Sequence, residues 1–487
     1  MSWTGAPTHT GEHRALARAM LVSLALHACA AHFTLGYAHP DEHFQVLEFG
    51  AAKLGVTPVA SLPWEHAHRL RPYFLPSVFA GIAGSLRRIG VSDRFVWIES
   101  MRWLAALLGW ASHLAIVRSA RAWLPSAAAR VSLGWAFALA FYLPYLDART
   151  SSESFSASFF LLGLAPILAG ASSPRRLALA GLALGAAFEA RFQAAFLVAG
   201  ALGWCVVVGR WRWARLAPLL GGLALAFAIG RQLDRFGYGD GAFTPWNYFR
   251  ENLLEHKAAA FGVSPPWGFV PLIIDIVPPF GALALATIPL AWAKAPRHPL
   301  TWASVPFVLV HCAIGHKEAR FLAPIAAMAP AMFVLAWPAA MTFTRARWLV
   351  AALAIENAVA LILYTFVPAF PVFAAYRALA AEAGDRPVEV VALVDDDPFV
   401  QAALPLWLPR PPRATVTLYA DEATLAASLD RPPTTRRVRW YAELPLAMPR
   451  GCAAGWSRLP VERKAALPSW LRPALPNPGF LRCGGGS

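Results

Sequence analysis

AMLVSLALHACAAHFTLGYA, residues 19–38, runs directly into HPDEHFQ, residues 39–45, and that junction decides the fold. The first segment is 20 residues without Asp, Glu, Lys or Arg. As a helix it would be about 30 Å long, the thickness of a bilayer's hydrocarbon core. Arg14 and Arg18 precede it and no small-residue cleavage site follows. It therefore reads as a retained signal-anchor with its N-terminus in the cytoplasm. Asp41 and Glu42 then stand where an apolar helix meets water.

Outward from there the same texture repeats. Apolar runs are expected to span near 73–86, 95–117, 131–146, 155–170, 177–199, 216–231, 269–291, 301–314, 322–340 and 347–369, which with the first makes about eleven. The 73–86 run is short for an unassisted crossing. Of the 487 residues 57% are apolar and only 15% charged, against about 25% charged in a soluble domain. Mean hydropathy is +0.47. These values exclude disorder, coiled coil and collagen, and predict an all-α polytopic membrane protein. An odd number of spans puts the tail opposite the N-terminus.

The net charge of +15 would suggest nucleic acid in a soluble chain. Here Arg210, Arg212 and Arg215, or Arg345 and Arg347, sit between apolar runs and read as anchors at an anionic leaflet, so no nucleic-acid partner is expected. Arg87, Arg88, Lys294 and Arg297 fall on the cytoplasmic side of the count, but Arg118, Arg121, Arg130, Arg175 and Arg176 fall outside it. Either a middle span is miscounted or the positive-inside bias is broken there.

Three charged stretches, 39–72, 232–268 and GHKEARF at 315–321, share one membrane face in this count. Beyond about 375 Pro, Arg and Asp rise, and VEVVALVD (388–395) and ATVTLYA (414–420) read as buried strands. The expected organisation is a transmembrane domain over 1–374, a small mixed α/β appendage over 375–483 outside the membrane, and a GGGS linker remnant at 484–487. Five cysteines show no metal-ligand spacing; Cys452 and Cys483 could pair if the tail is extracytoplasmic.

Several residues could carry chemistry, each with a plainer alternative. Asp41 and Glu42 suit a proton acceptor, since burial and mutual repulsion raise a carboxylate's proton affinity; they also suit a helix cap. Glu65, His66, His68, Arg69 and Arg71 suit a phosphate site or an interfacial anchor. Two histidines at i, i+2 do not share a helix face, so a metal is poorly supported. His316, Lys317, Glu318 and Arg320 interrupt two apolar runs, where their desolvation must be offset by one another or by a ligand. Glu189 and Arg191 form a further polar interruption, read as local pairing, a helix break or a catalytic element.

HPDEHFQ (39–45), RPYFLP (71–76), DRFGYG with PWNYFRENLLEHKAAAFG (245–262) and PPWG, and above all HKEARF (316–321) resemble the alpha-mannosyltransferases of glycosyltransferase family 22. These are multispanning GT-C enzymes of glycosylphosphatidylinositol-anchor and dolichol-linked oligosaccharide synthesis, and the resemblance, as of a bacterial-type relative, spans about 20 to 370. It implies an inverting transfer of a hexose, foremost mannose, from a polyprenyl-phosphate donor to a glycan or glycolipid hydroxyl, without cofactor or catalytic metal. The expected location is a bacterial inner membrane with a periplasmic site.

By resemblance, Asp41 is the essential first-loop acid with Glu42 beside it, and Gln45 is its polar partner. Arg320, Lys317, His316 and Arg71 would meet the donor phosphate. Glu65, His68, Tyr238, Asn247, Trp267 and Glu318 complete the expected substrate-binding set. DARTSSESF (147–155) resembles a family stretch with Ser-Asn-Ser, from which it departs in having Glu153 in place of the Asn.

The chemistry agrees with that implication. Inversion at an anomeric carbon needs a base on the acceptor and charge relief on the leaving group. A transferase for a non-mannose sugar on the same carrier remains an alternative. A polytopic lipid or glycan transporter would place carboxylates at mid-bilayer within inverted repeats, which the sequence lacks. A noncatalytic scaffold leaves the segregated loop charges incidental.

Overall fold

The computed structural model describes residues 9–276, 278–337 and 347–369, and in the tail 373, 377–379, 381, 388–396, 414–429, 436–441, 444–445, 452–457, 464 and 479–483. The GGGS segment and 431–435 of the basic connector lie outside the described residues. Most of the chain is helical: α1 (His9–Phe33), α2 (Phe74–Arg88), α3 (Arg94–Ser119), α4 (Ala127–Leu139), α5 (Leu143–Asp147), α6 (Ser152–Leu168), α7 (Pro174–Ala190), α8 (Ala195–Val207), α9 (Trp213–Tyr238), α10 (Pro278–Lys294), α11 (Pro299–Ala313), α12 (Ala323–Ala336) and α13 (Arg347–Phe366). Their starts follow local chemistry. Asp93, Ser126 and Ser151 accept backbone N–H bonds at the heads of α3, α4 and α6, while proline opens α7 and α11, where its missing donor costs nothing.

Among the described residues, four helices are long and apolar enough to cross a membrane: Thr10–Phe33, Trp213–Tyr238, Ala319–Ala336 and Trp348–Phe366. The eleven expected spans are thus not all of membrane length.

Contacts between helix ends give the order of the bundle. α1 and α3 run antiparallel: Trp110 Nε1 donates to Met20 O at 2.9 Å, Arg102 Nε to Ala31 O at 2.8 Å, and Arg121 meets His13 at 2.8 Å. At the start of α1 the buried Glu12 takes Nε and Nη2 of Arg130, each at 2.8 Å. Arg121 and Arg130 therefore share an end with the N-terminus of α1.

The helices depart from the expected spans at two places. The 73–86 run forms α2, whose two ends lie on one side of the bundle. Arg87 Nη1 reaches Leu54 O at 3.3 Å in the first loop, and α3 then begins beside the C-terminus of α1, where Glu99 meets His32 at 2.7 Å. Conversely, the 177–199 run is two helices. Arg191 takes an extended conformation (φ −154°, ψ 117°) and ends α7; a short 3-10 turn, Phe192–Ala194, leads into α8. Trp204 on α8 then donates to Arg297 O at 2.7 Å at the far end.

α7 and α9 pack side by side and parallel through small residues. A Cβ on Gly181 would overlap the Leu219 carbonyl, and one on Gly222 the Ala178 carbonyl. Close backbone approach of this kind is how helices associate where lipid offers no hydrophobic contrast.

In the tail, β1 (Val388–Leu393) and β2 (Ala414–Tyr419) fall on the two expected strands, joined by β3 (Arg436–Tyr441), β4 (Cys452–Ser457) and β5 (Gly479–Cys483). The sheet order is β2-β1-β3-β5-β4, with β1 parallel to β2 and β3, and β5 antiparallel to β3 and β4. Cys452 and Cys483, register partners on β4 and β5, form a disulfide. The sheet shares one apolar cluster with the first loop through Tyr37, Phe95, Val390 and Phe480, and Phe373 packs on Tyr37 at 5.1 Å.

Candidate active site

The first loop is built to fix one carboxylate and release another. His39 begins a helical turn, Pro40–Glu42, as a capping box: Asp41 N donates to His39 Nδ1 at 3.2 Å, while Glu42 Oε1 accepts from Ala38 N at 2.9 Å and His39 N at 3.3 Å. Glu42 is turned inward and 3% exposed; Asp41, 28% exposed at its side chain, faces a cavity. A π-helical turn, His43–Leu47, follows, a distortion frequent at functional sites. It is held by the buried contacts of Glu48 with His43 (2.6 Å) and with Thr57.

The late charged motif meets this loop. Arg320 Nη2 donates to Asp41 Oδ2 at 2.7 Å, Nη1 to Glu153 Oε1 at 3.0 Å, and Nε to Glu318 Oε2 at 2.5 Å. Glu153, 2% exposed, also takes Arg191 Nη1 at 2.8 Å. One guanidinium is thus bound by three carboxylates, one from its own motif and two from distant segments. Its planar fork makes this possible, which a point-charge ammonium does not reproduce.

The field of these groups sets protonation. Burial opposes the charged form of Asp41, but the Arg320 guanidinium, Arg71 and the Arg320 hydrogen bond outweigh it and hold the carboxyl below its ordinary value of 3.8. Burial likewise opposes ionisation of Glu318, yet the bond and charge of Arg320, with His316, bring it down to about 2. Burial and Arg320 push the His39 imidazole below 6.5. Glu42 is raised by burial, only partly offset by Arg149 and its backbone donors.

Beside this cluster lies a cavity of about 500 Å³. It is lined by the charged or ionisable His39, Asp41, Glu65, Arg71, Arg191, His316, Glu318 and Arg320, by Gln193, Tyr248 and Asn252, and by an apolar wall that includes Phe188, Phe192, Phe196, Phe249, Leu253, Val310, Ile314 and Phe321. The site therefore joins an ionic head to an apolar, aromatic groove.

Of the residues expected from sequence, Asp41, Glu65, Arg71, His316, Glu318 and Arg320 line this cavity. Glu42, Gln45, His68, Tyr238, Asn247, Trp267 and Lys317 do not. Gln45 Nε2 donates to Glu65 Oε1 at 3.2 Å, and Arg71 Nη2 reaches the same oxygen at 3.5 Å, so Gln45 sits one residue behind the cavity. His68 pairs with Glu251 at 3.2 Å, and Tyr238 donates to Arg71 O at 2.8 Å. Asn247 reaches only the Arg69 and His68 carbonyls, at 3.4 and 3.5 Å, and Trp267 is 65% exposed. Lys317 turns away: its ammonium donates to Ile314 O at 2.6 Å at the end of α11, where a cation satisfies terminal carbonyls.

Glu153 and Arg191 are the residues that sequence reasoning undervalued. The departure from Ser-Asn-Ser at 153 is a buried acid, and its signal was the need to neutralise a charge in an apolar helix. Arg191, paired in sequence with Glu189, instead answers Glu153, because the break after α7 turns it toward the loops.

A model of the Alg9-like mannosyltransferase family matches residues 18–388, and the chain belongs to that family. Among solved structures, ArnT from Cupriavidus metallidurans bound to undecaprenyl phosphate is similar at 15% identity with a TM-score of 0.56, covering 89% of this chain and 94% of that one. The same protein in the apo state gives 14% identity and a TM-score of 0.48, over 88% and 92%. The comparison with curated proteins gives no match. The chain is a membrane glycosyltransferase of GT-C type.

Proposed function

We propose that this member of the Alg9-like mannosyltransferase family moves a mannosyl group, with inversion, from a polyprenyl-phosphate carrier to a hydroxyl of a glycan or glycolipid. The observation that carries the reading is the Asp41–Arg320 contact of 2.7 Å at a cavity whose lining, beyond its charged groups, is mostly aromatic and aliphatic. A lipid phosphate sugar has the same two-part chemistry: an anionic head and an isoprenoid tail, whose burial contributes about 25 cal/mol per Å².

In this mechanism the donor phosphate takes hydrogen bonds from Arg320, with Arg71 and Arg191 nearby. Asp41, relieved of its partner, accepts the proton of the acceptor hydroxyl. The acceptor oxygen forms the new bond to C1 as the C1–O bond to phosphate breaks, and the electron pair leaves on the phosphate. Arg320 compensates that charge, so no general acid is required. Glu318 and Glu153 hold the guanidinium in position. The loops that carry these groups, 39–72, 232–268 and 315–321, hold no DxD pair and no metal-spaced histidines, so neither a nucleotide-sugar donor nor a catalytic metal belongs to the proposal.

Eleven passes are proposed, with α2 lying on the loop face and α7 and α8 crossing separately. Residues 1–374 would be the transferase and 375–483 an extracytoplasmic appendage. The Cys452–Cys483 disulfide supports an oxidising compartment, in keeping with a bacterial inner membrane and a periplasmic site. The ArnT neighbour's undecaprenyl phosphate supports the carrier class, and the family description supports mannose.

Purified protein in detergent, offered a panel of polyprenyl-phosphate and nucleotide sugars with a glycolipid acceptor, tests the reading. Transfer from polyprenyl-phosphate mannose that persists under chelation is expected. Turnover only with nucleotide sugars would overturn the carrier assignment; turnover with another lipid-linked hexose would change the sugar alone.

A further inference from the structure

Behind the loop face, between α1, α3 and α5, three ionisable side chains converge in an otherwise apolar interior. His27, His113 and Asp147 are each no more than 1% exposed, and one ligand atom from each lies within 4.8 Å of the others. His27 Nε2 is 2.9 Å and His113 Nε2 3.4 Å from the same oxygen, Oδ2 of Asp147. Room for that carboxylate exists only because residue 109 is glycine; a Cβ there would overlap the Asp147 carboxyl carbon.

Proton accounting is awkward for a purely protein-filled site. His27 Nδ1 lies 2.7 Å from Ser23 O, a carbonyl that can only accept, so Nδ1 carries a proton and the neutral ring presents a bare lone pair at Nε2. That lone pair faces an acceptor oxygen. Protonating His27 cures one contact but leaves His113, whose two ring nitrogens have no hydrogen-bond partner among the described residues, aimed at the same oxygen from 3.4 Å. A buried imidazole without partners is costly.

We propose that His27, His113 and Asp147 bind a divalent transition metal, zinc foremost, as a structural ion separate from the transfer chemistry. Two imidazoles and a carboxylate are a zinc donor set, and a buried site with nitrogen ligands disfavours magnesium and calcium. His27 has the outer-shell bond such ligands have, its Nδ1–H donating to a backbone carbonyl. The ion's charge exceeds that of the single carboxylate and both neutral rings keep their lone pairs for it.

The location gives the ion a task. Two residues beyond Asp147, Arg149 donates to Thr34 O at 2.7 Å and Gly36 O at 3.1 Å, just before the Asp41 turn. Four residues further on, Glu153 holds Arg320. A metal joining α1, α3 and α5 would therefore brace the segments that deliver Asp41 and Glu153 to the site.

The test uses full-length protein purified through a tag without histidine and dialysed against EDTA. Elemental analysis should find about one zinc per chain, and X-ray absorption a shell of nitrogen and oxygen neighbours at about 2.0–2.2 Å. His113→Gln and Asp147→Asn should lower the content below about 0.2 per chain, with a lower Tm that added zinc does not restore, whereas wild type stripped with a strong chelator should regain its Tm with zinc. If a variant fails to fold, the wild-type content and Tm response still decide. Metal-free wild-type protein whose Tm ignores added zinc, cobalt and nickel overturns the site and leaves an imidazolium–carboxylate cluster; a zinc content unchanged in both variants places the ion elsewhere and overturns it equally.

Discussion

Asp41 and Arg320 are 279 positions apart in the chain and 2.7 Å apart in space. The acid that would deprotonate the acceptor and the cation that would receive the phosphate are thus one ion pair. A carboxylate held this way is a weak base, so the proposed reaction requires the donor to break the pair before the acceptor proton can move.

That requirement sets the pH dependence. Asp41 titrates below 3.8 while paired; a depressed carboxylate keeps its charge above the ordinary value and loses it, with the stability it contributes, as pH falls through the folded value. kcat/KM, which reports the free enzyme, should show no acid limb from Asp41 between pH 4 and 7. kcat reports the donor complex, where phosphate competes for Arg320, and its acid limb should lie at higher pH. Coincident limbs in the two profiles would argue against the exchange.

Asp41→Asn keeps the hydrogen bond to Arg320 and removes the proton acceptor. Turnover should fall about 100-fold or more with donor binding largely retained. Glu42→Gln can still accept from Ala38 and His39, so its loss should stay under about fivefold. Separate measurements of transfer and donor binding check the ranking; an active Asp41→Asn enzyme would reject Asp41 as base.

Arg320→Lys replaces a fork that answers three carboxylates with a single ammonium. Donor kcat/KM should drop more than about tenfold, at least about 1.4 kcal/mol. Unchanged donor kinetics in folded protein would reduce Arg320 to a loop tie.

Glu153→Gln leaves Arg191 and Arg320 with one buried countercharge fewer. A stability loss of about 1–3 kcal/mol is expected, together with a change in donor KM larger than that in kcat. Denaturation and steady-state kinetics on one preparation measure both; a stability loss with unaltered KM would confine Glu153 to the fold.

The course of α2 gives a topological test. Single cysteines replacing Ile89 and Val91, beyond its C-terminus, should react with an impermeant maleimide from the same side as sites in 54–62, and a cysteine replacing Arg121 only from the other. Labelling at 89 from the Arg121 side would restore α2 as a crossing.

What the sequence made legible was chemistry concentrated in short motifs. Asp41, Arg320 and Glu318 stand in short charged motifs between apolar runs, and the span count put their loops on one face. Helix ends were less legible. Hydropathy sees 177–199 as one apolar run, and the break at Arg191 depends on a buried partner, Glu153, that tertiary structure supplies. α2 has the composition of a span but 15 residues, and only its contact with Leu54 reveals where it ends. Lys317 carries the right charge in the right motif yet serves a helix end, because a neighbour on a turn points elsewhere.

The competition for Arg320 also bears on the end of the cycle. The spent carrier is a phosphate monoester held by the guanidinium that Asp41 occupied at the start. Once Asp41 sheds the proton taken from the acceptor, it again becomes a rival anion at 2.7 Å range. The site would then be self-clearing: the base that begins the reaction helps to evict its leaving group, and carrier release becomes tied to proton departure. A turnover limited by product release would accordingly slow in heavy water even where the glycosidic bond itself forms quickly.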